Sequence, residues 1–385
     1  MGNVKDLAVR RRLVSLSRRL VVKVGSGVLT GENGLNTRVI GRLSGEISRI
    51  RASGREVVLV SSGAIASGFR NLGFSQRPVS IQEKQACAAV GQAGLIFAWE
   101  KALARHDLKV AQVLLTADDL SNRRRYLNAR NTMSTLLGWG IIPVVNENDT
   151  VVVDEIKFGD NDTLAGMITG LVGADLFINL TDIDGLYDCD PRQNESACFV
   201  PLVNAVGPRI EAMASRIPGA LGAGGMYTKV LAARRVARRG VACVIANGKK
   251  SQVLTRILAG EPEGTLFVPR EERLNQKKHW IAFTAKPKGV LVVDDGARTA
   301  LLERGKSLLP SGLGDVQGSF NRGDVLQVKG ADGLVVAVGL TNYTADELHR
   351  IRGCRTQEIE GILGYKHSDE VIHRDNMVVG DKLRT

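Results

Sequence analysis

Residues 20–27 read Leu-Val-Val-Lys-Val-Gly-Ser-Gly, an apolar run broken by one lysine and followed by a turn of small residues. A β-branched run without period-two alternation suits a parallel strand covered on both faces. Gly25 and Gly27 let successive backbone N–H groups converge on an anion, and Lys23 sets a charge beside them. The same kind of run recurs at Val57–Val60, Val110–Leu115, Ile141–Val145, Leu176–Leu180 and Val241–Ile245. Segments with helical spacing lie between, at Arg38–Ala52, Ile81–Arg105, Arg123–Trp139, Asp162–Leu171 and Met226–Arg239. Alternation of this kind predicts an α/β fold, an open and mostly parallel sheet sandwiched by helices. Ligands of such sheets bind beyond the carboxyl ends of the strands, so the residues after each run are the candidates for function.

The chain has 385 residues, which at ~150 per domain predicts two domains. With 44% hydrophobic and 24% charged residues it can bury a core, and 43 glycines without a period exclude a collagen-like chain. No run reaches the ~18 apolar residues of a membrane helix, the nearest, Gly166–Leu180, being broken by Asp175. The five cysteines are scattered and form no C-x-x-C pair, which argues against a disulfide framework or zinc site and for buried, reduced thiols. The basic first residues lack the apolar stretch of a secretory signal, so a surface helix before the first strand and a cytoplasmic location are expected.

Net charge is +12, yet residues 287–385 carry 13 basic and 14 acidic side chains, so the excess lies upstream. The basic runs Arg123–Arg125, Arg234–Arg235 and Arg238–Arg239 read as solvated helix faces or oligomer contacts. After Pro269 a charged stretch, Arg270–Lys278, gives way to short runs at Gly289–Val293, Asp324–Val328 and Leu334–Gly339, with one helix at Ala297–Arg304. These predict a small β-barrel-like module. The expected division is a basic extension (1–19), an α/β domain (20–269), a linker (270–286) and the β module (287–385).

Ser61-Ser62-Gly63-Ala64 follows the second run and offers a hydroxyl and helix N-terminal amides to an anion, though an ordinary serine N-cap would look the same. A serine hydrolase is excluded by the missing G-x-S-x-G spacing and the absence of a suitable histidine. Asn146–Asp149 and Phe158–Asp162 place two Asx clusters close together, more than capping needs. Their chemistry suits an ammonium ligand, the orientation of lysines, or Mg²⁺ held through water. Thr181–Tyr187 carries acidic residues whose offsets do not fit an EF-hand and suit a loop beside a nucleotide. Gly222–Lys229 is a second glycine-rich turn ending in a second lysine. Two such loops, each with a lysine, and a set of Asx side chains are the parts phosphoryl transfer requires. His373-Arg374-Asp375 imitates a protein-kinase loop, but it stands in the β module and is read as coincidence.

In order, KVGSGVL (23–29), VSSGAIASG (60–68), VNENDTV (145–151), FGDND (158–162), LTDIDGLY (180–187) and GAGGMYTK (222–229) resemble the amino-acid kinase family, over about Leu20–Pro269. The likeness is greatest to the branch that phosphorylates the side-chain carboxylate of L-glutamate with ATP in proline biosynthesis. From about Pro287 the chain, including ALLERGKSLLP (300–310) and VIHRDNMV (371–378), is similar to the PUA domain attached to bacterial members of that branch. Carried over position by position, the resemblance implies that Lys23 and Lys229 contact the transferring phosphate and that Asp162 holds both. It implies glutamate binding by Ser62, Asp149 and Asn161, with Asn148 and Asp160 beside them. ATP would lie against Thr181, Asp182, Ala223, Gly224, Gly225, Met226, Tyr227, Thr228 and Lys229, with Lys23 at the phosphate. Ala223 departs from the hydroxyl residue of some relatives, and the extension before Leu20 falls outside the usual pattern. The resemblance further implies MgATP as co-substrate, proline as a feedback inhibitor sensed with help from Phe69–Gln85, and a homodimer or homotetramer joined through helices such as Ala86–Trp99. The competing readings are another amino-acid kinase, or an RNA-binding protein acting through the PUA domain. The acidic balance of the tail weighs against the second.

Overall fold

The computed structural model describes residues 4–31, 34–74, 78–151, 161–215, 225–269, 281 and 285–380. The chain divides into two compact units, residues 1–120 with 124–273, and 121–123 with 274–385. Phe158–Asp160, Ala223, Gly224, the charged stretch Arg270–Lys278 and part of Phe69–Gln85 lie outside the described residues.

In the first unit the six apolar runs form strands β1 (Arg19–Val24), β2 (Glu56–Ser61), β3 (Val110–Leu115), β4 (Ile142–Glu147), β5 (Leu176–Thr181) and β7 (Ala242–Asn247). Two short strands, β6 (Leu202–Val203) and β8 (Thr265–Phe267), complete an eight-stranded sheet ordered β3-β4-β2-β1-β5-β7-β8-β6. All neighbours are parallel except β7 and β8. The central strands β1, β2 and β5 are buried almost throughout, which explains why their sequences do not alternate. β3 stands at an edge, with only half-buried and exposed residues.

Helices pack on the sheet through apolar stripes. In α2 (Thr37–Ala52) the buried Ile40, Leu43, Ile47 and Ile50 recur at helical spacing, and Asn36 caps the first turn by accepting from the Val39 N–H at 3.1 Å. α3 (Ala64–Asn71) and α4 (Ile81–Ala104) touch backbone to backbone. A Cβ on Gly68 would fall on the Cys87 carbonyl, and one on Gly91 on the Ala64 carbonyl. Glycine at both positions sets that separation. α5 (Arg123–Gly138), α6 (Asn161–Val172), α7 (Met226–Ala237) and α8 (Val253–Leu258) complete the helices used below.

The expected helix before β1 is α1 (Val4–Ser15), but it is more than a surface helix. Arg10 and Val14 are buried. The Arg10 guanidinium donates to the Glu263 carbonyl at 2.9 Å, to that of Pro201 at 2.6 Å, and to Gly264. These carbonyls flank β6 and β8, so the extension is pinned to the far edge of the sheet.

The second unit holds a five-stranded mixed sheet: β9 (Gly289–Val293), β10 (Leu313–Gly318), β11 (Val325–Gly330), β12 (Val335–Leu340) and β13 (Met377–Val379), ordered β10-β9-β11-β12-β13. β9 and β11 are parallel and the other pairs antiparallel. The sequence reading missed β10, whose Leu-Gly-Asp-Val-Gln-Gly lacks strand composition, and the three-residue β13. It also expected a single helix; Ala345–Ile351, started by a Thr344/Glu347 capping box, and Ile359–Leu363 are further helices.

Two other expectations are corrected. Cys87 and Cys243 are buried, but Cys189 and Cys354 are half-buried and Cys198 is exposed; all five are free thiols. Arg239 is not on a solvated face: it is buried and donates to the Gly166 carbonyl at 2.6 Å. Desolvation is the main reason its guanidinium is lowered to about 9. Among the described residues no helix is long and apolar enough to cross a membrane.

Candidate active site

Lys23 lies one residue before the end of β1, in register with Val60 of β2 and Asn179 of β5. Its Nζ is 2.5 Å from Oδ1 of Asp162, in the first turn of α6. Lys229, in the first turn of α7, brings its Nζ to 3.1 Å from the other oxygen, Oδ2. Thr228 donates its hydroxyl to Oδ2 at 3.0 Å, and the Asn179 amide donates to Oδ1 at 2.9 Å. Asp162 is fully buried and both lysines nearly so, at 4% and 6% exposure, so this is a charge cluster out of contact with bulk water. Burial alone would push the Asp162 carboxyl up. Lys23 and Lys229, with hydrogen bonds from Lys23 and Asn179, outweigh that and hold it well below the usual carboxylate range. One carboxylate thus faces two ammonium groups, an arrangement that invites a further anion.

Glycine makes room at this end of the sheet. The Gly25 N–H donates to the Leu180 carbonyl at 3.0 Å, and a Cβ there would lie 3.2 Å from that oxygen and 3.5 Å from Lys23 Nζ. Gly63, at φ +107°, makes the turn from β2 into α3. It also occupies the N-cap position, with no side-chain cap, so neither Ser61 nor Ser62 is the serine cap of the bland reading.

Ser62 is tied to the neighbouring strand by its N–H, which donates to the Val24 carbonyl at 3.1 Å. Its hydroxyl accepts from Asn161 Nδ2 at 2.9 Å. That same Nδ2 lies 3.0 Å from Asn146 Oδ1, and Asn146 Nδ2 donates to Gln92 Oε1 at 2.7 Å. Trp99 fixes the adjacent Ser61 by donating to its hydroxyl at 2.9 Å. Asp149 opens a 3₁₀ turn after β4, and burial raises its carboxyl to about 6. Asn148 beside it accepts from the Thr150 hydroxyl at 2.7 Å.

On the other flank the Thr181 hydroxyl donates to Asp182 Oδ1 at 3.1 Å. Asp184 accepts from the Asn247 amide and pairs with Lys250 at 2.8 Å; burial alone would raise its carboxyl, but these contacts lower it. Met226 is buried in the first turn of α7, Tyr227 is exposed, and Gly225 stands at the N-cap. Ala223, Gly224 and Asp160 belong to the segments outside the described residues.

Of the described members of the expected set, Lys23, Asp162, Thr228 and Lys229 form one cluster and Ser62 and Asn161 a second, while no bond described above ties Asp149 to either. Asn179, Gln92 and Trp99 were not singled out from sequence, and Asn146 entered only as a member of the Asn146–Asp149 cluster. Asn179 had a readable signal, a polar residue inside the buried run Phe-Ile-Asn-Leu. Gln92 had none. Among the described residues no three His, Cys, Asp or Glu side chains converge as metal ligands.

Residues 18–247 match the model of the amino acid kinase family, and residues 289–363 that of the PUA domain. The glutamate 5-kinases of Geobacter sulfurreducens and Citrifermentans bemidjiense are each 51% identical over 372 residues, covering 96% of this chain and 100% of theirs. That of Geobacter metallireducens is 53% identical with the same coverage. With its charge cluster at the strand ends and likeness along nearly its whole length, the chain belongs to the amino acid kinase family, among the glutamate 5-kinases, and carries a PUA domain.

Proposed function

We propose that this chain transfers the γ-phosphoryl group of ATP to the side-chain carboxylate of L-glutamate, giving ADP and L-glutamyl 5-phosphate, in proline biosynthesis. The observation that carries the reading is the buried Lys23–Asp162–Lys229 bridge in a chain half-identical to glutamate 5-kinases.

The nucleophile is an oxygen of the glutamate side chain, whose reference pKa of ~4.3 leaves it ionised at neutral pH. It forms a bond to the γ-phosphorus while the bond from that phosphorus to the β–γ bridging oxygen breaks, and the electron pair leaves with ADP. No proton is transferred, so no general base is required. The barrier is repulsion between an anionic nucleophile and an anionic phosphoryl group. Lys23 and Lys229 counter it, pre-positioned by Asp162 in a site where charge is weakly screened. Ser62, Asp149 and Asn161 hold glutamate, Asp149 against its ammonium group. Thr181, Asp182 and the 223–229 segment hold the nucleotide. Asp162 is engaged by the lysines, so a Mg²⁺ would enter as part of the MgATP substrate and would supply further charge neutralisation there.

The proposal also includes domain limits at 20–269 and 287–385, a cytoplasmic location, a homodimer or homotetramer, and feedback inhibition by proline at or overlapping the glutamate site. RNA binding by the PUA domain is the second reading, and the acidic balance of residues 287–385 argues against it. Glutamate-dependent ADP release, with hydroxylamine trapping the acyl phosphate, tests the activity. Hydroxamate should form only with glutamate and ATP together. ADP release that ignores glutamate, or prefers aspartate or acetylglutamate, would sink the assignment.

A further inference from the structure

Asn161 Nδ2 has three acceptors around it: Ser62 Oγ at 2.9 Å, Asn146 Oδ1 at 3.0 Å and the Ser61 carbonyl at 3.4 Å. A main-chain carbonyl can only accept, which fixes the end of the amide that faces it. The Asn161 side-chain oxygen, Oδ1, is consequently turned the other way, and it is buried with no donor among the described residues. A buried acceptor without a donor is costly, and a ligand N–H would relieve it.

The orientation does not rest on Asn161 alone. Asn146 can present its oxygen to Asn161 only if its own amide nitrogen has an acceptor, and Gln92 Oε1 supplies one at 2.7 Å. Gln92 is on α4, next to Gly91, where α3 and α4 come to backbone contact. Three amides thus form a directional chain, each fixing which way the next one faces.

We propose that Gln92 is a positioning residue for the acceptor substrate: through Asn146 it sets the Asn161 amide so that its carbonyl oxygen receives a hydrogen bond from the substrate's ammonium group. The inference rests on the reading of Asn161 as part of the glutamate pocket. Without Gln92, Asn146 can rotate to offer its nitrogen, and Asn161 is no longer held with its oxygen toward the ligand. The phosphate-binding lysines share none of these bonds.

Steady-state kinetics on the full-length protein test this with Gln92→Met, Gln92→Glu and Asn161→Ala. Gln92→Met keeps the shape and removes the acceptor, so KM for glutamate should rise about tenfold, the effect of losing one charge-assisted hydrogen bond. Its kcat and its KM for ATP should stay within about twofold of the parent. Gln92→Glu retains an acceptor and should restore KM for glutamate to within about threefold of the parent. The proposal fails if Gln92→Met leaves KM for glutamate unchanged, if both KM values rise together, or if Gln92→Glu is as impaired as Gln92→Met. Gln92→Leu carries the same expectation should Gln92→Met not fold. Asn161→Ala separates the layers: if it raises KM for glutamate while Gln92→Met does not, only the positioning role is wrong. If neither does, the pocket assignment falls with it.

Discussion

Lys23 and Lys229 are joined through the two oxygens of one carboxylate, Lys23 at 2.5 Å from Oδ1 of Asp162 and Lys229 at 3.1 Å from Oδ2. They come from a strand end and a helix start that are distant in the chain, and Asp162 is an acidic group paired with both. Asn179 and Thr228 occupy the same carboxylate from the sides, which limits the geometries open to it. If both lysines act on the transferring phosphoryl, this fixed geometry would leave little reorganisation for the moment of reaction.

If the two ammonium groups act on the transferring phosphoryl, Lys229→Ala should lower kcat by about 10²–10³-fold. KM for glutamate should move by less than about threefold, because the missing charge acts mainly in the transition state. A variant in which KM alone changes would assign Lys229 to ground-state binding.

If Asp149 binds the ammonium group of glutamate, as proposed, the site should respond to pH. Burial raises its carboxyl from 3.8 to about 6, so it becomes protonated as pH falls through 6 and can no longer pair with an ammonium. KM for glutamate should climb below that pH while KM for ATP stays level. Asp149→Ala should raise KM for glutamate by about 30-fold or more at neutral pH and abolish its rise at low pH.

The same group acts on stability with a definite sign. Its folded value lies above its ordinary one, so its contribution is fully present below 3.8 and is lost as pH rises through about 6. Asp149→Asn should therefore stabilise the protein at pH 8, by up to about 3 kcal/mol, and change little at pH 4. Urea midpoints at the two pH values measure the difference.

Arg10 gives α1 a structural task. Arg10→Met would leave the Pro201, Glu263 and Gly264 carbonyls without this donor. A loss of about 2–3 kcal/mol in chemical denaturation is expected, with kcat unchanged.

Gly91→Ala should cost about 2–4 kcal/mol, since its methyl group would meet the Ala64 carbonyl and force α3 and α4 apart. Gly41→Ala, in α2 with open space around it, should be tolerated or slightly stabilising.

The parallel core was legible because burial on both faces writes itself into uninterrupted Val, Ile and Leu runs. All six such runs of the first unit became strands. β6 and β8 were not legible: two or three residues carry too little pattern, and β8 is placed by its pairing with β7 and β6. The two lysines and a set of Asx residues could be anticipated from loop composition at strand ends, and Asp162 as the group joining them from the family resemblance. The link from Asn146 to Gln92 could not, because it joins a strand to a helix 54 residues earlier in the chain, and nothing local at residue 92 records that. Arg239 misled in the opposite direction: a basic run looks solvated, but the turn that follows α7 carries this member inward.

The bridge at Asp162 also sets when during synthesis the proposed chemistry can begin. A nascent chain that has released Lys23 and Asp162 from the ribosome still lacks Lys229, and with it half of the charge proposed to grip the nucleotide's outer phosphate. On the proposed reading, phosphoryl transfer by an unfinished polypeptide should stay slow until α7, which carries Lys229, has been made.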